Sequence, residues 1–363
     1  MLDSTPPNVN LILLRHDNHA NVSGYDRISE YIHHRPFHHA VNPSFVQRVV
    51  SALLRPLLTR SDMQWYRKAS LITETQAALR WLVTSGEVFH FVYGENSYRY
   101  LGWLNRLRSN HVVCTYHTPP NRFREVVRNQ HHLAGIDAVI VVSRVCLDFF
   151  EKVLGPDRVH FVPHGVDTDF FTPAVDKKPN ADRLQCVFVG SHLRDFEVLS
   201  RVARDFADTD ANIHFNVVTA EDNFRYFDGL TNVACMAGLS DEQLRGVYQQ
   251  ADIFTMPLTD CTANNSLLEA MACGLPIMVS DLPGVRDYVD ETTAILVPVG
   301  DDQQFGQRLR ELISDQALRD RLAKMSRASA LEFSFPKVAR MTQDVYRHVT
   351  GQLSTTTDNS AQS

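Results

Sequence analysis

Residues 251–280 read ADIFTMPLTDCTANNSLLEAMACGLPIMVS, and this stretch decides the fold. A short apolar run over 253–256 ends at Pro257 and is typical of a buried β-strand. A polar loop over 259–265 follows, and residues 266–273 have the composition of a helix that Gly274 and Pro276 would end. The apolar run 277–279 predicts the next strand. The stretch therefore predicts a strand, a loop, a helix and a second strand in succession.

The predicted loop delivers the start of a helix to the carboxyl end of a parallel strand. Backbone N–H groups and the positive end of the helix dipole gather at such a place, which favours binding of a diphosphate. A carboxylate three residues after Ser266 can accept hydrogen bonds from both hydroxyls of a ribose. The alternative is an ordinary loop whose Asn and Ser side chains only cap the helix. The candidate binding residues of this segment are Asn264, Asn265, Ser266, Leu267, Leu268 and Glu269.

The same alternation of strands and helices extends over most of the chain. The candidate strands are short, rich in Val and Ile and without strict alternation, as is typical of strands covered on both faces. Amphipathic segments at 74–84, 241–250 and 303–314 lie between them. The predicted fold class is α/β with two doubly wound, Rossmann-like sheets. Strands are predicted at 9–14, 88–92, 111–116, 138–142 and 159–162, and again at 185–189, 214–218, 233–236, 253–256, 277–279 and 294–297.

A break in the pattern at 167–184 predicts a linker between two halves. A chain of 363 residues suits two domains of ~100–200 residues each. We therefore expect an N-terminal domain over 1–170 and a C-terminal domain over 184–334. The Ser-, Thr- and Gln-rich residues 351–363 predict a disordered tail.

Composition excludes several classes of protein. With 44% hydrophobic and 21% charged residues, the chain is neither disordered in bulk nor a coiled coil. The formal net charge of −6 argues against a general nucleic-acid binder. The six cysteines form no Cys-x-x-Cys pair, so we expect neither a zinc site nor a disulfide framework. Without a signal-like start or a run of ~18 apolar residues, the sequence predicts a cytoplasmic protein.

Residues 268–276, LEAMACGLP, resemble the signature of the family 4 retaining glycosyltransferases, the glycosyl transferases group 1, which have the GT-B fold. The resemblance implies two Rossmann-like domains facing a cleft, with Glu269 on the donor ribose and backbone amides near Ser266 on its phosphates. The family has a further acid eight positions before Glu269, where this chain has Cys261. Asp260 is adjacent and is the candidate for the role of that acid near the donor sugar.

Other segments carry the same resemblance. Residues 136–143, IDAVIVVS, and 159–173, VHFVPHGVDTDFFTP, resemble the end of the family's first domain. Residues 233–256 resemble its strand, glycine loop, helix and strand in the second domain. The C-terminal segment 335–350 resembles a family helix that crosses back onto the first domain.

Residues 185–199, QCVFVGSHLRDFEVL, hold two more candidate donor-binding residues. Gly190 ends a strand and lets the backbone approach a ligand closely. Arg194 can bind a diphosphate through two parallel hydrogen bonds, the alternative being a solvated surface arginine. Ser191 stands where the family usually has an arginine.

Three candidates fall in the first half of the chain. His117, in VVCTYHTPP over 112–120, follows a strand and resembles the family's histidine near the transferred sugar; a structural histidine is the alternative. Gly24 is the nearest match to a glycine-containing loop that contacts donor phosphate or acceptor in the family, and is a candidate donor-binding residue. Glu95 is either directed towards the acceptor or a surface carboxylate.

The resemblance implies transfer of a sugar from a nucleotide-diphosphate sugar, with UDP and GDP not distinguished, to a hydroxyl of a glycan, a lipid-linked compound or a small molecule. It also implies retention, no metal ion and no cofactor beyond the donor as co-substrate. His117, Arg194 and Asp260 are the candidate catalytic residues. Two alternatives stay open: a non-catalytic nucleotide-sugar-binding GT-B protein, and an NAD-dependent oxidoreductase, which the missing Gly-x-Gly-x-x-Gly after the first strand disfavours.

Two clusters remain outside this scheme. Arg99, Arg106 and Arg108 lie beside Trp103 and Leu104 in the segment 99–111. This segment predicts either weak association with an anionic membrane surface or a helix with a solvated basic face, and we favour the helix. A second cluster lacks the spacing of a metal-binding helix and predicts a solvated or acceptor-facing loop; its members are His33, His34, His38 and His39.

Overall fold

The computed structural model describes residues 6–14, 22–38, 49, 52–105, 107–175, 183–209 and 213–352. These residues fall into two compact units. The first unit takes its described residues from Met1–Asp17, Tyr25–Val162 and Val338–Ser363. The second unit takes them from Asn18–Gly24 and Pro163–Lys337.

The first unit is built on a six-stranded sheet in the order β2-β1-β3-β4-β5-β6, with every neighbouring pair parallel. The central strands are buried along their whole length, which requires cover on both faces. The strands are β1 (Val9–Leu13), β2 (Arg35–His38), β3 (Val88–Phe91), β4 (His111–Tyr116), β5 (Ala138–Val141) and β6 (Val159–Phe161). The helices are α1 (Arg55–Thr59), α2 (Lys68–Val83), α3 (Gly94–Ser97), α4 (Pro120–Val126) and α5 (Leu147–Leu154), with 3-10 helices at Tyr25–Tyr31, Leu101–Leu104, His131–Gly135, Arg144–Cys146 and Pro156–Arg158.

The second unit repeats this plan with a parallel sheet in the order β12-β11-β10-β7-β8-β9. The strands are β7 (Leu184–Val189), β8 (Ile213–Val218), β9 (Val233–Met236), β10 (Ile253–Met256), β11 (Ile277–Ser280) and β12 (Ala294–Val297). The helices are α6 (Phe196–Thr209), α7 (Asp241–Gln250), α8 (Asn265–Ala272), α9 (Pro283–Arg286), α10 (Asp302–Ser314) and α11 (Gln316–Ala330), with 3-10 helices at Glu221–Phe227 and Leu331–Phe333. The last helix, α12 (Phe335–Val349), begins in the second unit and belongs to the first from Val338 onward.

The predicted α/β class is confirmed, and each predicted strand is present with ends that differ by at most one residue. The sequence missed β2, a largely exposed strand of composition RPFH at the edge of the first sheet. Its proline and basic residues give no apolar pattern, and an edge strand is one of the few places in a sheet where a proline is tolerated. Of the predicted linker and tail, residues 176–182 and 353–363 lie outside the described residues.

The interpretation of residues 99–111 as a helix with a solvated basic face is wrong. Only Leu101–Leu104 is helical, as a 3-10 turn, and Arg99 is buried with its Nε donating to the carbonyl of Ser61 at 2.8 Å. The backbone N–H of Arg99 donates to the buried carboxylate of Glu74 at 2.9 Å. The exposed side chains of this segment include the apolar Trp103 and Leu107, while Arg106 lies outside the described residues.

The histidine-rich segment passes through β2. His33 and His38 are exposed, and Nδ1 of His34 lies 2.7 Å from the carbonyl of Ile32. His39 lies outside the described residues. The segment is therefore partly an edge strand, where the sequence predicted a loop.

Each sheet reverses its strand order once, between β1 and β3 in the first unit and between β7 and β10 in the second. Open α/β sheets bind ligands outside the carboxyl ends of the strands at such a reversal. In the second unit the two loops at the reversal are joined by backbone hydrogen bonds. The N–H of Asp195 donates to the carbonyl of Pro257 and that of Thr259 to Leu193, both at 3.0 Å. These bonds hold the two loops in register with each other.

Gly274 closes the end of α8. Its φ of +70° lies in the left-handed region, which glycine adopts readily. Its N–H donates to the carbonyl of Met271 at 2.9 Å, and the N–H of Leu275 donates to Ala270 at 3.1 Å. These two bonds form a Schellman motif, so the glycine predicted to end the helix does so by its backbone conformation.

Substituting Gly274→Ala is expected to lower the free energy of unfolding by about 1–2 kcal/mol, because alanine is strained at positive φ. The added Cβ would also lie 3.1 Å from Cγ of Pro173. Denaturant unfolding of the variant measures the loss. Gly246→Ala in α7 is the control: nothing lies within 4 Å of its added Cβ, and we expect a gain of about 0.5–1 kcal/mol. Equal effects of the two substitutions would contradict this account.

Candidate functional site

The guanidinium of Arg194 lies at the strand-order reversal of the second unit. Its Nε donates to the carbonyl of Val189, the last residue of β7, at 3.0 Å, and its Nη1 donates to the carbonyl of His192 at 3.0 Å. Its Nη2 donates to Oδ1 of Asn264 and to Oγ of Ser266, both at 3.2 Å. The group is therefore fixed between the end of β7 and the start of α8, and the alternative of a freely solvated surface arginine is excluded.

Gly190 provides the space that the guanidinium fills. Its φ is +109°, and a Cβ built on it would lie 2.4 Å from Nη2 of Arg194. Any other residue at this position would displace the arginine or the backbone. Ser191 turns away towards β8, where its Oγ lies 2.9 Å from Oγ1 of Thr219. The predicted close approach at Gly190 therefore involves the chain's own arginine.

The start of α8 is built from the predicted polar loop. Asn264 is the N-cap, and its Oδ1 accepts the N–H of Leu267 at 3.2 Å. Asn265 is half-buried, and every residue from Ser266 to Ala272 is buried. Asn264 thus caps the helix and also accepts a hydrogen bond from Arg194, while binding of a diphosphate here stays a prediction. The amides of the first helical turn and a cation meet at one place, which is favourable for an anion.

Glu269 lies one helical turn after Ser266 and is only 4% exposed. One carboxylate oxygen accepts a hydrogen bond from the hydroxyl of Ser23, and the other accepts the hydroxyl of Tyr248 at 2.8 Å. Burial raises the pKa of Glu269 above its ordinary value, although both hydrogen bonds act in the opposite direction. A buried carboxylate with fixed oxygens can accept hydroxyl groups with defined geometry.

Gly24 belongs to the second unit together with Ser23. Its φ is +123°, and it helps to line a small pocket beside the carboxylate of Glu269. Asn265 and Gly165 line the same pocket. The structure therefore brings together the predicted glycine of the first loop and the predicted residues of α8.

Asp260 and Cys261 occupy the loop before α8. The side chain of Asp260 is exposed, and its Oδ1 accepts the N–H of Cys261 at 2.8 Å. Cys261 is buried, which raises the pKa of its thiol to about 12. A Cβ on Gly284 would lie 2.1 Å from the carbonyl oxygen of Cys261, so α9 packs directly on this loop. The role of Asp260 near a donor sugar stays a prediction.

His117 and Glu95 form a pair in the first unit. They follow β4 and β3, and Nδ1 of His117 lies 3.7 Å from a carboxylate oxygen of Glu95. The same oxygen accepts the N–H of His117 at 3.1 Å and the hydroxyl of Thr118 at 3.0 Å. Burial acts to raise the pKa of Glu95, but hydrogen bonds and charge from His117 outweigh it and the pKa is lowered. Glu95 is buried, so the alternative of a surface carboxylate is excluded.

Two tyrosines fix the ring of His117. Tyr93 stacks on it with ring centroids 4.3 Å apart, and Tyr25 meets it edge-on at 5.0 Å. Both tyrosines are buried. The carboxylate of Glu95 and the two tyrosine rings therefore restrict the orientation of the imidazole.

Sequence reasoning missed Ser23 and Tyr248, the two hydroxyl donors to Glu269. The helical spacing in DEQLRGVYQQ indicated that one face of α7 is buried, but not that the Tyr248 hydroxyl meets a carboxylate. Ser23 lies 246 residues before Glu269, and no local pattern indicates such a contact.

Two features are absent from the described residues. No three His, Cys, Asp or Glu side chains among them are grouped as metal ligands would be. Likewise, none of the helices described above combines the length and apolar character needed to span a membrane.

Two family models match the chain. Residues 180–315 match the family described as Glycosyl transferases group 1, and residues 88–170 match the one described as Glycosyltransferase Family 4. Together the matches cover more than half of the chain, one over the second sheet and the other over four of the six strands of the first.

Curated relatives carry sugar-transferring names. A D-inositol 3-phosphate glycosyltransferase of Xylanimonas cellulosilytica is 25% identical over 250 residues, which are 62% of this chain and 60% of that protein. A phosphatidyl-myo-inositol mannosyltransferase of Mycobacterium leprae is 24% identical over 288 residues, covering 74% of this chain and 76% of that protein. The chain thus spans less than two thirds of the length of the first of these relatives.

Solved structures share the fold. Sucrose-phosphate synthase from Thermosynechococcus elongatus superimposes with a TM-score of 0.70 at 16% identity, covering 96% of this chain and all of that one. HepE from Anabaena in complex with UDP-glucose gives 0.65 at 12% identity, covering 94% and 99%. These likenesses confirm the predicted GT-B class with its two parallel sheets. With its two matching family models, the chain belongs to the family 4 glycosyltransferases, the glycosyl transferases group 1.

Proposed function

We propose that this chain transfers a sugar from a nucleoside diphosphate sugar to a hydroxyl group of an acceptor. The observation that carries the proposal is the cluster of Arg194, the start of α8 and buried Glu269 in the second unit. It offers a cation and the positive end of a helix dipole for a diphosphate, and a carboxylate for a ribose one turn away. Membership of the glycosyltransferase family supports the same assignment.

The proposed chemistry is breakage of the bond between the sugar and the diphosphate. Negative charge grows on the departing phosphate, and Arg194 together with the amides at the start of α8 would stabilise it. We propose that the reaction proceeds with retention and without a divalent ion. In this scheme the departing phosphate accepts the acceptor's proton on the same face of the sugar, so no enzymic nucleophile is needed.

We assign His117 to positioning and charge stabilisation near the transferred sugar. Support comes from its fixed ring and from the carboxylate of Glu95, which lies 3.7 Å from Nδ1. Asp260 keeps its proposed role near the donor sugar, which would require its exposed carboxylate to leave the N–H of Cys261.

The donor's base and the acceptor are open within this proposal. A UDP-sugar is a reasonable first choice because HepE was solved with UDP-glucose, and inositol phosphates are reasonable acceptors because two relatives are named for inositol compounds. The second candidate function is a non-catalytic sugar-nucleotide-binding protein. It is favoured by Cys261, a buried neutral thiol where the family has an acid.

A screen of UDP-, GDP- and ADP-sugars tests the proposal. A true donor at 100 times its dissociation constant should raise the free energy of unfolding by about 2.7 kcal/mol, seen as a thermal shift. Release of the nucleoside diphosphate is then measured in the presence and in the absence of an acceptor hydroxyl. Release in either case indicates an enzyme and not a binding protein. Binding without release would favour the non-catalytic function, and no binding of any sugar nucleotide would contradict both.

A further inference from the structure

A short turn in the second unit lies against the carboxylate of Glu269. We call it the Ser23 turn, made of Val22, Ser23 and Gly24. The side chain of Val22 packs on the apolar core of that unit. Ser23 is only 8% exposed, and its hydroxyl donates to Oε1 of Glu269. The chain therefore supplies one hydroxyl partner of this carboxylate itself.

The Ser23 turn fills the space beside the carboxylate. The pocket that the turn lines, together with Asn265, Gly165 and the other described residues around it, is too small to hold a water molecule. Glu269 itself is only 4% exposed. A ribose hydroxyl bonded to Oε1 must lie about 2.7 Å from that oxygen, with the sugar ring attached to it. Such a ribose would occupy the volume of the Ser23 turn, so the two exclude each other at this oxygen.

The other carboxylate oxygen has a more firmly held partner. Tyr248, which donates to Oε2 at 2.8 Å, is fully buried on α7. Its ring meets those of Phe171 and Phe254 at centroid distances of 6.0 and 6.2 Å. The Ser23 turn, in contrast, belongs to no helix or strand. A ligand that needs room at Glu269 would therefore displace the hydroxyl of Ser23 and leave that of Tyr248 in place.

We infer that Ser23 is an intramolecular competitor of the donor ribose. The inference rests on the proposed function, in which Glu269 binds that ribose. One hydroxyl of the donor exchanges with the hydroxyl of Ser23 at Oε1, so the donor gains only the difference between two similar hydrogen bonds. This exchange lowers the affinity for the nucleotide. The Ser23 hydroxyl retakes Oε1 when the nucleoside diphosphate leaves, which favours its release after transfer.

Titration calorimetry of the full chain with UDP and with GDP tests the inference. Ser23→Ala removes the competing hydroxyl, and we expect it to lower the dissociation constant of the nucleotide that binds by about ten-fold. The same substitution leaves Oε1 of Glu269 without that partner, so the melting temperature should fall. Higher affinity together with lower stability is the signature of a competitor, because a purely structural residue would lower both when replaced.

Two further variants keep the test decisive if Ser23→Ala folds poorly. Val22→Ala loosens the packing of the turn but keeps the hydroxyl, and it should raise nucleotide affinity by about three-fold. With Glu269→Gln already in place, Ser23→Ala should raise affinity by less than about three-fold, because a hydrogen bond to a neutral amide is weaker than one to a carboxylate.

The matched control is Ser200→Ala on α6. Ser200 is also 8% exposed, but its hydroxyl donates to the carbonyl of Glu197 at 3.0 Å in its own helix, so nucleotide affinity should not change. Parental or weaker affinity in folded Ser23→Ala protein would overturn the inference. If that binding still depended on Glu269, the proposed function would stand. Absence of UDP and GDP binding in both the parent and Ser23→Ala would overturn the inference and the proposed function together.

Discussion

Replacing Arg194 with alanine is expected to lower the turnover of sugar transfer by about 10²–10³-fold, the effect typical of removing one donor to a developing anion. The expectation follows from the position of the guanidinium, which is held at 3.2 Å from both Asn264 and Ser266 at the start of α8. Because the protein's own groups hold the guanidinium in place, it is already oriented to stabilise the departing phosphate. Arg194→Lys keeps the charge but loses the planar fork, so we expect an intermediate rate.

The measurement is the rate of nucleoside diphosphate release at saturating donor, with circular dichroism to verify folding. Arg201→Ala is the matched control, since Arg201 is an arginine on α6 that forms only half-exposed ion pairs with Glu197 and Asp302. It should leave turnover unchanged. A folded Arg194→Ala protein with the parental turnover would remove Arg194 from the mechanism.

Replacing Glu269 with glutamine is expected to weaken donor binding by about 10²-fold, because each hydrogen bond from a hydroxyl to a charged carboxylate contributes ~1.5–3 kcal/mol. Titration calorimetry with the nucleoside diphosphate and its 2′-deoxy analogue gives a direct test. The parent should discriminate between the two ligands, and Glu269→Gln should lose most of that discrimination. Glu242→Gln, at an exposed acid on α7, is the control.

The pH dependence of donor binding provides an independent test of the role of Glu269. Burial raises the pKa of Glu269, an effect that Asp241 strengthens and that Ser23, Tyr248 and Arg194 oppose. As the pH falls, the carboxylate should therefore protonate at a higher pH than an ordinary glutamate, and donor affinity should fall with it. Tyr248→Phe removes one opposing hydrogen bond and should move this loss to still higher pH, whereas Glu269→Gln should abolish it. The same pH profile in parent and Glu269→Gln would show that another group titrates.

The sequence could predict the parts of the fold that depend on local pattern. Buried parallel strands appear in the sequence as continuous apolar runs. The start and end of α8 are likewise indicated by residues next to the helix, the polar Asn264 before it and Gly274 after it. The edge strand β2 has no such pattern, because its residues are largely exposed and do not need to be apolar.

The candidate site could be predicted only where one segment supplies it. Arg194, Asn264 and Ser266 were each identified from their own loops, but their mutual hydrogen bonds depend on the order of β7 and β10 in the sheet. Ser23 and Tyr248 reach Glu269 from distant positions, so nothing near Glu269 in the sequence indicates them. The burial of Arg99 and the exposure of Trp103 could not be predicted for the same reason. Arg99 points inward because it donates to the carbonyl of the distant Ser61.

Helix α8 is enclosed by protein over all but its first residue. At its far end Nη1 of Arg327 donates to the carbonyl of Ala272 at 2.6 Å, and Ser326 Oγ donates to the carbonyl of Leu275 at 2.7 Å. A ligand that meets the start of this helix encounters groups whose freedom was already lost during folding. Association would therefore carry little penalty in conformational entropy on the protein's side, and affinity would depend mainly on the charge and shape that the ligand presents.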